Sequence, residues 1–215
     1  MKNNKKSLIN WLGLLGLISF VSYAVAVIFS PLAYPDYNWR SQAVSDLSAA
    51  NAPSLALWNQ LSILYGISAI VCVMMVCILI QGKWNKPLRL GIYMFVSMLW
   101  VSYVGFSVFP LSESGMSGAS FQDIMHIGVT AVVVALSIAS LILIMIGGYR
   151  KKRFVSLAVY ATIALVLMLM GAIGTSVAPA EYFGIFQRFS NLLAVNGFTV
   201  VLGLYLFTGK LEGKN

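Results

Sequence analysis

Long apolar stretches alternate with short polar ones along this chain, and that rhythm predicts its architecture before any single residue is weighed. Six apolar runs, about 8–31, 54–81, 88–110, 122–148, 154–178 and 186–208, are each long enough to cross a hydrocarbon layer of roughly 30 Å. Inside a bilayer a segment must satisfy its own backbone donors and acceptors, so such runs predict α-helices. The expected fold is an all-α integral membrane protein, a single domain over 1–215 with six transmembrane helices arranged as three hairpins. Gln81–Pro87 and Tyr149–Arg153 are short connections, which predicts that consecutive helices are neighbours. The opposite connections, 32–53, 111–121 and 179–185, shorten along the chain. The first run exceeds the apolar core of a signal peptide and is read as a retained span.

Composition agrees with that class. Apolar residues are 60% of the chain, charged residues 9%, and mean hydropathy is +0.87. A soluble domain carries about 25% charged residues. Cys72 and Cys77 share one apolar run on different helix faces and are read as packing residues.

Charge then orients the spans. Lys2, Lys5, Lys6, Lys83, Lys86, Arg89, Arg150, Lys151, Lys152, Arg153, Lys210 and Lys214 all fall on one side, and only Arg40 and Arg188 on the other. Asp36, Asp46, Glu113, Asp123 and Glu181 lie opposite the basic side, with Glu212 alone on it. Basic residues collect in cytoplasmic loops, so both termini are expected in the cytoplasm of a multi-pass cell-membrane protein. Trp11 and Trp84 are placed at the inner boundary, Trp39 and Trp58 at the outer. The formal net charge of +8 is spent on topology, which excludes a nucleic-acid surface.

A weak repeat sharpens the picture. G-F-S-V-F-P at Gly105–Pro110 recurs as G-T-S-V-A-P at Gly174–Pro179, each closing an outward-going span. F-Q-D from Phe121 and F-Q-R from Phe186 open the returning spans, as W-N-Q does from Trp58. Polar residues therefore converge at the outer end of the bundle.

The candidate chemistry is there. Asp123 and His126, the only histidine, stand three residues apart on one helix face, with Gln122 and Thr130 extending it. Three readings are open for the pair: an acid–base couple, a contribution to a metal site, or a helix start with Asp123 at the positive end of the dipole. Ser45–Asp46, in the long first outer connection, is either a local cap or brings a nucleophile (Ser45 or Ser48) and an acid towards His126. Arg188 is expected to neutralise Asp46 or Asp123, or else to hold a lipid phosphate, with Glu181, Gln187 and Asn191 completing the network. One histidine and two buried-run cysteines make a poor zinc set. A harder ion on carboxylates is possible but not favoured, and the cofactor is left unknown. Paired-histidine haem ligation is excluded by count, and the chain has no phosphate-binding glycine loop.

Tyr34–Pro35, Q-A-V-S-D-L-S at Gln42–Ser48, Phe109–Pro110, D-I-M-H at Asp123–His126 and Gln187–Arg188 together carry a resemblance over nearly the whole length. The chain resembles a bacterial six-helix membrane family, domain of unknown function 998, which looks distantly like the Frag and DRAM membrane proteins. That resemblance implies a polytopic fold and a connection to lipids. A partial likeness to alkaline ceramidases and adiponectin receptors implies Ser, Asp and several His with zinc. This sequence departs from it, lacking the later histidine pair and having six spans instead of seven.

The resulting expectation is an outward-facing polar pocket that binds a lipid or other amphiphile at the outer leaflet, with hydrolysis or group transfer as its possible chemistry. Asp46, Asp123, His126 and Arg188 form its floor, with Ser45 and Gln187 assisting. In a catalytic version His126 is the general base and Arg188 stabilises negative charge. The alternatives are a transporter using the same cluster, and a non-catalytic accessory subunit. Expected partners are membrane lipids, with a homo-oligomer or a membrane partner as a further possibility.

Overall fold

A computed structural model describes residues 6–115 and 120–212. Lys2, Lys5 and Lys214 of the charge pattern lie outside the described residues, as does 116–119 of the 111–121 connection. The described residues form no strand. Six helices are long and apolar enough to cross a membrane: α1 Leu8–Ala33, α2 Leu55–Ile80, α3 Lys86–Val108, α4 Phe121–Tyr149, α5 Lys152–Val177 and α6 Ala180–Phe207.

Local chemistry sets the ends. Asn85 caps α3 by accepting the Leu88 N–H at 3.0 Å, and its amide donates to the Gly147 carbonyl at 2.8 Å, so one side chain starts α3 and ties down the end of α4. Ser120 caps α4, taking the Asp123 N–H at 3.1 Å. The repeated sextets end their helices alike. The Phe109 N–H returns to Gly105 O at 2.8 Å and the Ala178 N–H to Gly174 O at 3.0 Å, with proline next in both. The last span begins earlier than 186. Pro179 stands before the first turn and Ala180 opens the helix, so the expected 179–185 connection is mostly helical.

Each helix packs on the next, α6 returns to α1, and α2 also touches α6. In lipid, association depends on close packing, because tails are as apolar as leucine. Gly13, Gly16 and Gly203 serve that need where α1 crosses α6. A Cβ on Gly16 would lie 2.8 Å from Thr199 O, and one on Gly13 would collide with the Gly203 carbonyl. Farther in, Phe95 and Phe198 meet edge to face with ring centroids 5.4 Å apart, inside the main core.

The chain ends share one end of the bundle, called proximal here. Asn10 donates to Glu212 Oε1 at 2.7 Å and to Leu206 O at 3.0 Å, and Arg153 donates to Lys210 O at 3.0 Å. Trp84 lies in the short α2–α3 connection at this end and is buried there, its ring 4.4 Å from that of Phe154 at the start of α5. The distal end carries 34–54, 109–115 and the α5–α6 turn.

Candidate functional site

The distal connections form a sewn cap with residues 34–54 at its centre. That segment contains a 3-10 turn, Ser45–Ser48, whose Asp46 and Leu47 are buried. On one side it is stitched to the α3–α4 connection. Ala50 N–H donates to Leu111 O at 2.8 Å, Ser114 N–H to Asn51 Oδ1 at 3.1 Å, and Ser114 Oγ to Asp46 O at 3.0 Å. The Asp46 carboxylate accepts the Ala43 N–H at 2.9 Å and the Gly115 N–H at 3.0 Å. Ser48 Oγ donates to Ser45 O at 3.1 Å. Asp46 thus closes its own turn and clasps the neighbouring connection.

Asp123 does related work from α4. Ser120 at the N-cap and Asp123 three residues later form a helix-start pair, with the acid near the positive end of the dipole. Asp123 also accepts the Ser112 N–H at 2.9 Å, the Ser112 hydroxyl at 2.7 Å and the Ser120 hydroxyl at 2.7 Å. Of the three readings of this acid, the helix-start one matches its contacts.

His126 is nearly buried, lies 4.8 Å from the Phe106 ring, and places Nδ1 2.9 Å from Phe109 O. A carbonyl only accepts, so Nδ1 carries the proton, and in the neutral ring Nε2 is the accepting nitrogen. The hydrogen bonds of the described residues do not join Asp123 to His126, nor Ser45 to either, so they form no nucleophile–base–acid relay. Gln122 donates to Pro110 O at 2.7 Å, and Thr130 Oγ1 to His126 O at 2.9 Å.

On the other side the cap is fastened to α6. Val44 N–H donates to Gln187 Oε1 at 2.6 Å and Ile185 N–H to Arg40 O at 3.2 Å. Arg188 corrects an expectation. Its Nη1 donates to Gly184 O at 2.7 Å, Trp39 O at 2.8 Å and Gln42 O at 3.3 Å, and its Nη2 to Tyr37 Oη at 2.9 Å. Its partners are carbonyls and a phenol, with no carboxylate among them. The irregular 34–54 backbone leaves carbonyls without helical partners, and a planar five-donor group meets several at once. Gly184 makes room, since a Cβ there would lie 2.5 Å from Trp39 O and 2.9 Å from Arg188 Nη1. Tyr37 donates to Ala43 O at 2.8 Å; burial pushes its phenol up, with Arg188 acting against that shift. Glu181 is exposed in the first turn of α6, and Asn191 has a buried Oδ1 without a partner.

Ser112, Ser114, Ser120, Asn51 and Tyr37 were not singled out from sequence. The Ser120-x-x-Asp123 spacing was the available signal for one of them. Among the described residues, no group of three or more His, Cys, Asp and Glu is placed to hold a metal ion.

A family model described as "Protein of unknown function (DUF998)" matches residues 17–205. The chain belongs to that family. The match runs from early α1 to late α6, so the cap and every candidate residue named above fall inside it. No curated protein and no solved structure matches the chain.

Proposed function

We propose that this family member binds an amphiphile at the outer leaflet of the cell membrane, with both termini in the cytoplasm. The orientation rests on the basic residues gathered at the proximal end. The binding reading rests on one feature, an apolar groove of about 410 Å³ along the distal half of α5. Met170, Ile173 and Val177 line it and are exposed, so it opens sideways to lipid, while Phe186 of α6 forms a wall. Gly174 lets that wall pack directly on α5: a side chain there would run into the Phe186 ring. The groove ends at Ala178, beside the turn that carries Glu181. An acyl or prenyl chain in the groove would present its polar end at that turn. Ordinary pockets bury an apolar ligand body and fix it with few polar groups.

The geometry favours binding over chemistry. The acids and the arginine expected to act on a substrate are occupied by the protein's own backbone, and His126 is not joined to an acid or a serine. That same internal satisfaction favours a second reading, an accessory subunit whose distal end is a rigid platform.

Mass spectrometry of lipids co-purifying with the protein tests the first reading. Met170→Trp fills the groove; Ile127→Trp, on an exposed face of α4, is the control. A species retained by the wild type and the control but lost from Met170→Trp supports binding. Identical lipid content in all three sinks it and leaves the platform.

A further inference from the structure

If the polar groups of the cap are spent on one another, unspent ones matter more, and they lie deeper. Two irregular stretches of backbone pack against α1, one in α2 and one in α6. α2 is interrupted after Leu61, resuming as helix at Tyr65. α6 runs as a π-helix over Phe189–Asn196. Ser62 is seven residues past the start of α2, which at 1.5 Å per residue is roughly 10 Å along the span from its distal end. At such depth, backbone that leaves the α-helical ladder is tolerated where protein buries it or where it lines water.

Part of the freed polarity is accounted for. Ser22 Oγ donates to Leu61 O at 2.6 Å, and Asn196 Nδ2 to Asn191 O at 2.8 Å. Two buried oxygens beside these bonds are not: Ser19 Oγ and Asn191 Oδ1 have no protein partner. Ser19 is fully buried. It sits three residues after Gly16, which abuts Thr199 and Cys72, and four before Tyr23, which packs on Tyr65, Trp58 and Leu192. That spacing turns Ser19 to the same α2–α6 side. Asn191 precedes by two residues the exposed Leu193, which puts it on the inward face of α6. Both oxygens therefore turn towards the ground shared by the broken α2 and the π-helical α6.

We infer that this ground is an internal hydration site, a polar seam under the cap in which water donates to Asn191 Oδ1 and bonds to Ser19 Oγ. The ligand chemistry follows from the oxygens. An amide oxygen only accepts and a serine hydroxyl does both, so the occupant is a small neutral group with O–H donors. No charged side chain is among the groups named, which disfavours an ion. Buried waters commonly make about three hydrogen bonds to groups otherwise unsatisfied. π-helical turns are frequent where a helix has such local work to do. The inference is independent of amphiphile binding in the α5–α6 groove.

The test is a sign. Removing a buried hydroxyl or amide that has no partner relieves a desolvation cost, whereas removing one that holds a water breaks a bonded network. Tm is measured in one detergent for wild type, Ser19→Ala, Asn191→Leu and the double variant. A hydrated seam predicts that each single change lowers Tm by about 2–4 °C, the shift expected for a loss near 1 kcal/mol in a chain of this size. It also predicts that the double variant falls no farther than the worse single one, because both lose the same water. Unchanged or raised Tm in the singles overturns the site. So does a fully additive double, which separates the two oxygens. Asn191→Ala repeats the measurement if the leucine variant does not accumulate.

Discussion

Asp46 and Asp123 hold the same short stretch of chain, Asp46 through the Gly115 N–H at 3.0 Å and Asp123 through the Ser112 N–H at 2.9 Å and the Ser112 hydroxyl at 2.7 Å. One acid comes from the 34–54 segment and the other from α4, so the α3–α4 connection is anchored at both ends of Ser112–Gly115. Neither acid draws on the opposite charge that its sequence context suggested.

Asp46→Ala is therefore expected to destabilise the fold. Two backbone N–H groups, Ala43 and Gly115, lose a charged acceptor, and bonds of this kind contribute about 1.5–3 kcal/mol each before the chain relaxes. Asp46→Asn, which keeps one acceptor oxygen, should fall between wild type and alanine. Thermal unfolding in detergent ranks the three, and an alanine variant as stable as wild type removes the anchoring role.

At Asp123 the expected consequence is local. Asp123→Ala and Ser112→Ala should each raise cleavage of the α3–α4 connection by a broad-specificity protease, and the double variant should be cleaved no faster than Asp123→Ala. The two residues share bonds, so their effects overlap. Additive cleavage rates would show that the connection is held by something else.

Arg188 separates charge from shape. Its guanidinium reaches the carbonyls of Gly184, Trp39 and Gln42 and the Tyr37 hydroxyl together. Lysine keeps the charge and loses the planar fork. Arg188→Lys should thus lose most of the stability that Arg188→Ala loses. Full rescue by lysine would restore the ion-pair reading.

Much of this was legible in the sequence, and unevenly so. The spans were, because apolar length is read directly from composition along the chain, and the six observed helices follow the six runs. The start of α6 was not, since Glu181, Gln187 and Arg188 interrupt the apolar run although the backbone after Pro179 is already helical. The burial of Trp84 against Phe154 was not legible, because position near a boundary does not say which way an indole folds. In the cap, rarity alone marked Asp46, Asp123, His126 and Arg188. Their partners stayed hidden because most are main-chain N–H and C=O groups, which every sequence carries and no motif advertises. The glycine–proline sextets were the exception: the repeat foretold two helix ends built the same way.

Gly174 and Gly105 extend that repeat into packing. A Cβ on Gly105 would lie 2.7 Å from Val129 Cγ1, while one on Gly174 would strike the face of the Phe186 ring. A valine branch yields more readily than a ring fixed at a helix start. Gly174→Ala should accordingly cost more than Gly105→Ala, within the about 1–3 kcal/mol typical of overpacking. Equal or reversed losses in detergent unfolding would show that Phe186 swings aside, and the α5–α6 groove with it.

His126 offers the sharpest separation between a structural and a catalytic residue. Its protonated Nδ1 faces Phe109 O at 2.9 Å, and Nε2 is the only ring nitrogen left to take a proton. An asparagine amide places a donor near the Nδ1 position and nothing at Nε2. His126→Asn is expected to keep the bond to Phe109, and with it the wild-type Tm and the wild-type set of co-purifying lipids, whereas His126→Ala should lower Tm. A general base at Nε2 demands another pattern: His126→Asn stable, yet with the lipid composition of a deletion strain instead of that of the complemented one. Comparing membrane lipid profiles for wild type, His126→Asn and empty vector at matched expression decides it. Wild-type profiles from the asparagine variant assign the only imidazole in the chain to holding α3 against α4, and a deletion-like profile returns it to chemistry.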